Sequence, residues 1–168
     1  RRSQNFIDWE VVRTGGNGGG LAVSGNTVVS LWNGQRYRST NQGKKWTEVK
    51  DDLRMVGHPF IKSAGGNLFA TARGDGEFKM SSDAGKTWKR ARGPAVNSLS
   101  ALAMVDAEVG WAVGDGVILK TDDAGLAWRR QRLPLRADEV QLMGVAVLDR
   151  DRAIAVGADG LRLYTHDG

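Results

Sequence analysis

This sequence predicts an all-β chain, a β-propeller of four-stranded antiparallel blades, on three observations. The first is a recurring box of the form Ser/Thr-x-Asp-x-Gly-x-x-Trp. It reads Ser81-Ser82-Asp83-Ala84-Gly85-Lys86-Thr87-Trp88, then Thr121-Asp122-Asp123-Ala124-Gly125-Leu126-Ala127-Trp128. A weaker copy, Ser39-Thr40-Asn41-Gln42-Gly43-Lys44-Lys45-Trp46, has asparagine for aspartate, and a fourth begins at Thr165-His166-Asp167-Gly168. The leading hydroxyl residues stand 42, 40 and 44 positions apart, the length of one propeller blade. The second observation is an Asx-Gly pair at a fixed offset before each box: Asn33-Gly34, Asp75-Gly76, Asp115-Gly116 and Asp159-Gly160. Such pairs between strand-like runs signal type I′ hairpin turns, which need positive φ at both central residues. The third is composition: 23 glycines against 3 prolines, without a sustained helical period. Many tight turns and almost no helix follow.

The elements fall in order within four repeats, approximately 13–50, 51–92, 93–133 and 134–168. First strands are read at 21–25, 60–64, 99–105 and 142–148, and second strands at 27–32, 67–72, 110–113 and 153–156. Third strands, after the Asx-Gly turns, are 35–38, 77–80, 117–120 and 161–164. Fourth strands begin at the box tryptophans, at 46–49, 88–90 and 128–131. The small residues Ala22, Ala70, Ala112 and Ala155 suit sheet faces pressed between neighbouring blades. Trp9-Glu10-Val11-Val12 resembles Trp46-Thr47-Glu48-Val49, a fourth strand, although no repeat precedes it. Two readings follow. Either residues 9–12 complete the last blade, giving about four blades, or the chain is part of a larger propeller. The chain opens with Arg1, and this residue is expected not to be the translational start.

The box has a structural logic. A carboxylate in a tight turn accepts hydrogen bonds from successive backbone N–H groups. Gly43, Gly85 and Gly125 supply a φ that a Cβ disfavours. The hydroxyls of Ser39, Ser81, Thr121 and Thr165 are expected to bond across the hairpin, while Trp46, Trp88 and Trp128 cover its apolar side. Asn41 accepts without the charge of Asp83, Asp123 or Asp167, which makes the first box the weakest. Four copies of one carboxylate spread around a ring do not converge on a substrate, so the boxes are read as structural.

These residues carry a resemblance. The box is similar to the Asp-box, or bacterial neuraminidase repeat, throughout the chain. More narrowly, Val109-Gly110-Trp111-Ala112-Val113-Gly114-Asp115-Gly116-Val117-Ile118-Leu119-Lys120-Thr121 resembles the photosystem II stability and assembly factor-like family, and Ala155-Val156-Gly157-Ala158-Asp159-Gly160 echoes it. The resemblance implies a lumenal, periplasmic or secreted factor that helps a membrane complex assemble. It implies a protein partner and no cofactor.

Sialidases also share the box. Such an enzyme needs an arginine cluster, a tyrosine nucleophile with a glutamate partner, and an acidic proton donor. Tyr37 and Tyr164 both fall in third strands, and Arg36, Arg38, Arg129, Arg130 and Arg132 are read at outer or hairpin positions. No catalytic set is assigned. Absence of cysteine excludes disulfides, thiolate zinc and a cysteine nucleophile. His58 and His166 are too few for an imidazole metal site, and the glycine-rich stretch from Gly15 to Gly20 lacks the lysine and helix of a phosphate loop. No apolar run is long enough to span a membrane.

The formal charge is +5, from 24 basic and 19 acidic residues. Basic residues gather in and after the fourth strands: Lys44, Lys45 and Lys50, then Lys86, Lys89, Arg90 and Arg92, then Arg129, Arg130, Arg132 and Arg136. Two readings stand. Outer strands carry Lys and Arg to prevent unwanted edge pairing, or Lys89, Arg90, Arg92, Arg129, Arg130, Arg132 and Arg136 meet an acidic or membrane-associated protein. Nucleic acid is disfavoured, because exposed aromatics are not interleaved with the charge. The functional expectation is a non-catalytic scaffold for protein–protein interaction. The alternative is a carbohydrate-binding or sialidase-like glycoside hydrolase propeller.

Overall fold

A computed structural model describes residues 18–32, 35–50, 60–64, 66–71, 78–96, 98–134 and 140–168. The expectations for residues 9–12, for the Asn33-Gly34 and Asp75-Gly76 turns, and for His58 and Arg136 lie outside them.

Blade 1 comprises β1 (Gly18–Ser24), β2 (Thr27–Trp32), β3 (Gln35–Ser39) and β4 (Thr47–Val49). Blade 2 holds β5 (Phe60–Ala64), β6 (Asn67–Thr71), β7 (Phe78–Ser81) and β8 (Lys89–Arg90). Blade 3 holds β9 (Leu99–Met104), β10 (Gly110–Gly114), β11 (Val117–Thr121) and β12 (Arg129–Arg130). Blade 4 has three described strands, β13 (Leu142–Val147), β14 (Ala153–Gly157) and β15 (Arg162–Thr165). Each blade is an antiparallel meander in sequence order. First strands stand side by side, β1 against β5, β5 against β9 and β9 against β13, while the short fourth strands are the outer edges. This is a propeller arrangement. Blades 1 and 4 share no such packing among the described residues.

Hairpin chemistry explains the meanders. Asp159 and Gly160 both take positive φ, 53° and 74°, as a type I′ turn requires. At Asp115-Gly116 the expectation fails by one residue: only Gly116 is left-handed, at 64°. There the neighbouring blade intervenes, because Asp115 forms an antiparallel bridge with Gln141 and Gly116 N–H donates to Val140 O at 2.8 Å.

The core lies between blades rather than within them. Ala22, Val29 and Leu31 of blade 1 meet Ile61 and Trp88 of blade 2. Phe69, Phe78 and Met80 of blade 2 meet Leu99, Ala112, Leu119 and Trp128 of blade 3. Val113 and Trp111 of blade 3 face Leu142, Ala155 and Ala153 of blade 4. The small Ala22, Ala112 and Ala155 sit in these layers as expected, where larger side chains would hold the sheets apart. A polar clamp adds to the last layer: Arg150 of the β13–β14 turn donates to Asp106 at 2.9 Å and to Glu108 at 3.0 Å, both in the β9–β10 turn.

Candidate functional site

The first three boxes form one repeated turn, and the fourth shows its opening hydrogen bond. In the second, Ser81 Oγ donates to Asp83 Oδ1 at 2.8 Å and accepts from Gly85 N–H at 2.8 Å. Asp83 then accepts from Thr87 N–H at 2.9 Å and from the Thr87 hydroxyl at 2.6 Å. The third repeats this with Thr121, Asp123, Gly125 and Ala127 at 2.8 to 3.0 Å. In the first, Asn41 Oδ1 accepts from Ser39 Oγ at 2.9 Å and from Lys45 N–H at 2.8 Å. In the fourth, Thr165 donates to Asp167 at 3.1 Å. The hydroxyl therefore bonds inside its own turn and not across the hairpin, because the reversal brings the glycine N–H within reach first.

Two successive left-handed residues make that reversal. Gly43, Gly85 and Gly125 have φ of 84°, 78° and 83°, and the residues before them, Gln42, Ala84 and Ala124, have 61°, 57° and 62°. Sequence reasoning found the glycines and missed their neighbours, since nothing in Gln or Ala advertises a left-handed backbone. Burial of the Asp83 carboxyl opposes its charge. Hydrogen bonds from the Thr87 hydroxyl and N–H, the Ser81 hydroxyl and the Lys86 N–H outweigh it and hold the pKa down at about 2.

Boxes 2, 3 and 4 are also tied to the blade before them. The residue preceding the leading hydroxyl in box 1, Arg38, donates to Ala84 O of box 2 at 2.8 Å. Its counterpart in box 3, Lys120, reaches Gly168 O of box 4 at 3.3 Å. Met80 at that position in box 2 has no donor, and Asn67 of β6 instead reaches Ala124 O of box 3 at 3.3 Å. The box tryptophans follow the same rule. Trp88 packs on Val29 of blade 1 with Arg36 over its ring at 6.0 Å. Trp128 packs on Phe69 and Phe78 of blade 2 at 6.0 and 4.6 Å between ring centres. Gly125 is held to glycine twice over, by its φ and because a Cβ would lie 2.2 Å from Phe69.

Lys89 and Arg90 form β8, Arg129 and Arg130 form β12, and these four with Arg92 and Arg132 are exposed. A parallel bridge between Arg92 and Ala127 brings the end of blade 2 against box 3, so the two edges run into one another. Arg129 is paired with Asp122 at 2.5 Å, and Arg92 stands 4.0 Å from Asp123.

A further expectation is overturned. Arg36 is not at an outer or hairpin position but only 3% exposed, because β3 turns it into the layer against Trp88. Arg38 is likewise partly buried. Tyr37 lies in β3 of blade 1 and Tyr164 in β15 of blade 4. Among the described residues no three His, Cys, Asp or Glu side chains gather as metal ligands, and no helix is long and apolar enough to cross a membrane. A groove of about 720 Å³ lies between blades 3 and 4 and is lined by Trp111, Val113, Ile118, Ala153, Ala155 and Leu163 among others.

No family model matches the chain, and no curated protein matches it significantly. Solved structures do. An ancestral GH74 enzyme matches with 17% identity and a TM-score of 0.64 over 90% of this chain and 23% of its own. The computationally designed Ika4 protein matches with 17% identity and a TM-score of 0.66 over 96% of this chain and 100% of its own. BamB from Moraxella catarrhalis matches with 12% identity and a TM-score of 0.58 over 88% of this chain and 42% of its own. The chain thus spans about a quarter of the GH74 enzyme and less than half of BamB. At these identities the likeness is one of fold, and the fold is the β-propeller.

Proposed function

We propose that this chain is a non-catalytic propeller scaffold for protein–protein interaction, acting outside the cytoplasm in the assembly or stability of a membrane complex. The observation that carries the reading is the run of exposed basic side chains on the joined outer edges of blades 2 and 3. Lys89, Arg90, Arg92, Arg129, Arg130 and Arg132 present positive charge on a rigid frame, which favours encounter with an acidic protein surface. The resemblance of the segment from Val109 to Thr121 to the photosystem II stability and assembly factor-like family supports the same reading. So does the placement of Tyr37 and Tyr164 in the first and fourth blades, which do not pack together among the described residues.

The test is a pull-down from solubilised membranes at low and high salt, using the wild type and the triple variant R129E/R130E/R132E. The variant should fold normally, since exposed substitutions of this kind change stability by about 0.5 kcal/mol or less each. A partner recovered by the wild type should be lost at high salt and lost with the variant. Equal recovery in every arm reduces the basic edges to protection against strand pairing. Turnover of a sialoside or a β-glucan by the purified chain would replace the scaffold reading with the carbohydrate one.

A further inference from the structure

Box 1 departs from boxes 2 and 3 in its charge. A pocket of about 220 Å³ beside it is lined by Arg38, Thr40, Asn41, Lys45, Thr47 and Val49. This pocket lies on the face of blade 1 turned to blade 2, since Val49 packs on the layer between them and Arg38 donates to Ala84 O at 2.8 Å. Counted from the leading hydroxyl, the same six positions in blade 2 are Met80, Ser82, Asp83, Thr87, Lys89 and Ala91. In blade 3 they are Lys120, Asp122, Asp123, Ala127, Arg129 and Gln131. Acid and base balance in both of those sets, whereas the set around box 1 has two cations and no acid.

Boxes 2 and 3 put both oxygens of their carboxylates to use. Asp83 Oδ2 accepts from the Thr87 N–H and hydroxyl at 3.1 and 2.6 Å. Asp123 Oδ2 stands 4.0 Å from the Arg92 guanidinium, and Asp122 pairs with Arg129 at 2.5 Å. Asn41 reproduces only one side of this pattern. Its Oδ1 accepts from the Ser39 hydroxyl and the Lys45 N–H at 2.9 and 2.8 Å. A backbone N–H can only donate, so the amide oxygen is fixed on that side and the other arm of the amide is an NH2 donor. A donor thus replaces a carboxylate oxygen. Further donors line the same pocket: the Lys45 ammonium, the Thr40 and Thr47 hydroxyls and the Arg38 guanidinium. Bonds to Ala84 O and to Thr27 Oγ1 at 3.3 Å hold the Arg38 fork in place and leave it more N–H groups to donate. No carboxylate pairs with Arg38 or Lys45 among the described residues.

We propose that box 1 is a carboxylate-binding site, where Arg38, Asn41 and Lys45 receive from outside the chain the group that boxes 2 and 3 carry within. A planar anion with two oxygens suits the guanidinium fork and the amide NH2 together. Arg38 is partly buried, and salt screens such a charge less than a fully exposed one. The carboxylate belongs either to a small free acid or to an aspartate or glutamate of an acidic protein. This site is separate from the basic edges of blades 2 and 3 and does not depend on them.

The test is an NMR titration followed at the Asn41 side-chain NH2, the Arg38 Nε–H and the Lys45 amide. The probes are sodium acetate, an acetylated and amidated Asp-Glu-Asp peptide and, at matched ionic strength, sodium chloride. Acetate and the peptide should shift these signals saturably, and chloride should not. Tighter binding of the peptide per carboxylate assigns the site to an acidic protein, and equal binding assigns it to a small acid. Asn41→Asp restores the residue that folds the same turn in boxes 2 and 3. It should keep the fold and abolish the shifts at Arg38 and Lys45. Lys45→Thr, which copies Thr87, should weaken binding by about threefold. The R129E/R130E/R132E variant should titrate like the wild type, so failure here and failure of the pull-down are separable. Four results would each overturn the proposal: signals unmoved by acetate and peptide, an equal response to chloride, undiminished binding by Asn41→Asp, or a preference for inorganic phosphate in mildly acidic buffer, where it and acetate each carry one charge.

Discussion

The first and second boxes contain almost the same turn and live in different surroundings. Ser39 and Ser81 accept from the glycine N–H at 2.9 and 2.8 Å, and the left-handed pairs differ by only a few degrees. Yet Trp88 is 7% exposed, sealed against blade 1, while Trp46 has no described blade before it and stays partly exposed. The turn is therefore written locally, in five consecutive residues. The value of its tryptophan is set by neighbours such as Arg36 and Val29, 52 and 59 positions before Trp88 in sequence.

The largest expected effect tests that division. Trp88→Ala should cost about 3–5 kcal/mol, the range for emptying a buried aromatic site, whereas Trp46→Ala should cost about 1 kcal/mol in dilute solution. Urea denaturation of both variants checks it, and equal losses would break the contrast.

A smaller difference separates the acceptors. Asp83→Ala should cost about 1–3 kcal/mol, because the carboxylate gathers charged hydrogen bonds from three residues' N–H and hydroxyl groups. Asn41→Ala should cost less, since Asn41 lacks both the charge and a partner like the Thr87 hydroxyl. A reversed order would show that the acceptor is not what holds the turn.

The smallest effect is a dependence on pH. The folded pKa of Asp83 is depressed from 3.8 to about 2, so the unfolded chain binds its proton first as acid is added. The stability this group supplies is complete above the unfolded value and is lost as pH falls towards the folded one. The difference in urea midpoint between wild type and Asp83→Asn should therefore shrink across that interval. A constant difference would remove the carboxylate charge from the account.

The strands were legible because their signals are local. Residues 60–64 and 27–32 match β5 and β2 end for end, and most other boundaries shift by one residue. Asx-Gly pairs, apolar alternation and a period near forty are properties of short windows. The box glycines and acceptors were legible for the same reason. The left-handed Gln42, Ala84 and Ala124 were not, because the turn imposes that conformation on whatever side chain stands there. Burial of Arg36 was hidden too, since its cover comes from Trp88 in the following blade. The ties from Arg38, Asn67 and Lys120 join residues from different repeats, and no single repeat encodes them.

Those ties give the molecule a one-dimensional character. Among the described residues, the packing of Trp88 and Trp128 and the links from Arg38, Asn67 and Lys120 each join one blade to the next, so the blades behave as coupled units in a row. Such a row is held most firmly where a blade is covered on both faces. In this chain that is the case at β10, with all five residues buried between blades 2 and 4, while β15 alternates exposed and half-buried residues. A substitution is therefore felt according to how fully the neighbouring blades cover its strand, and the same change should cost more in β10 than in β15.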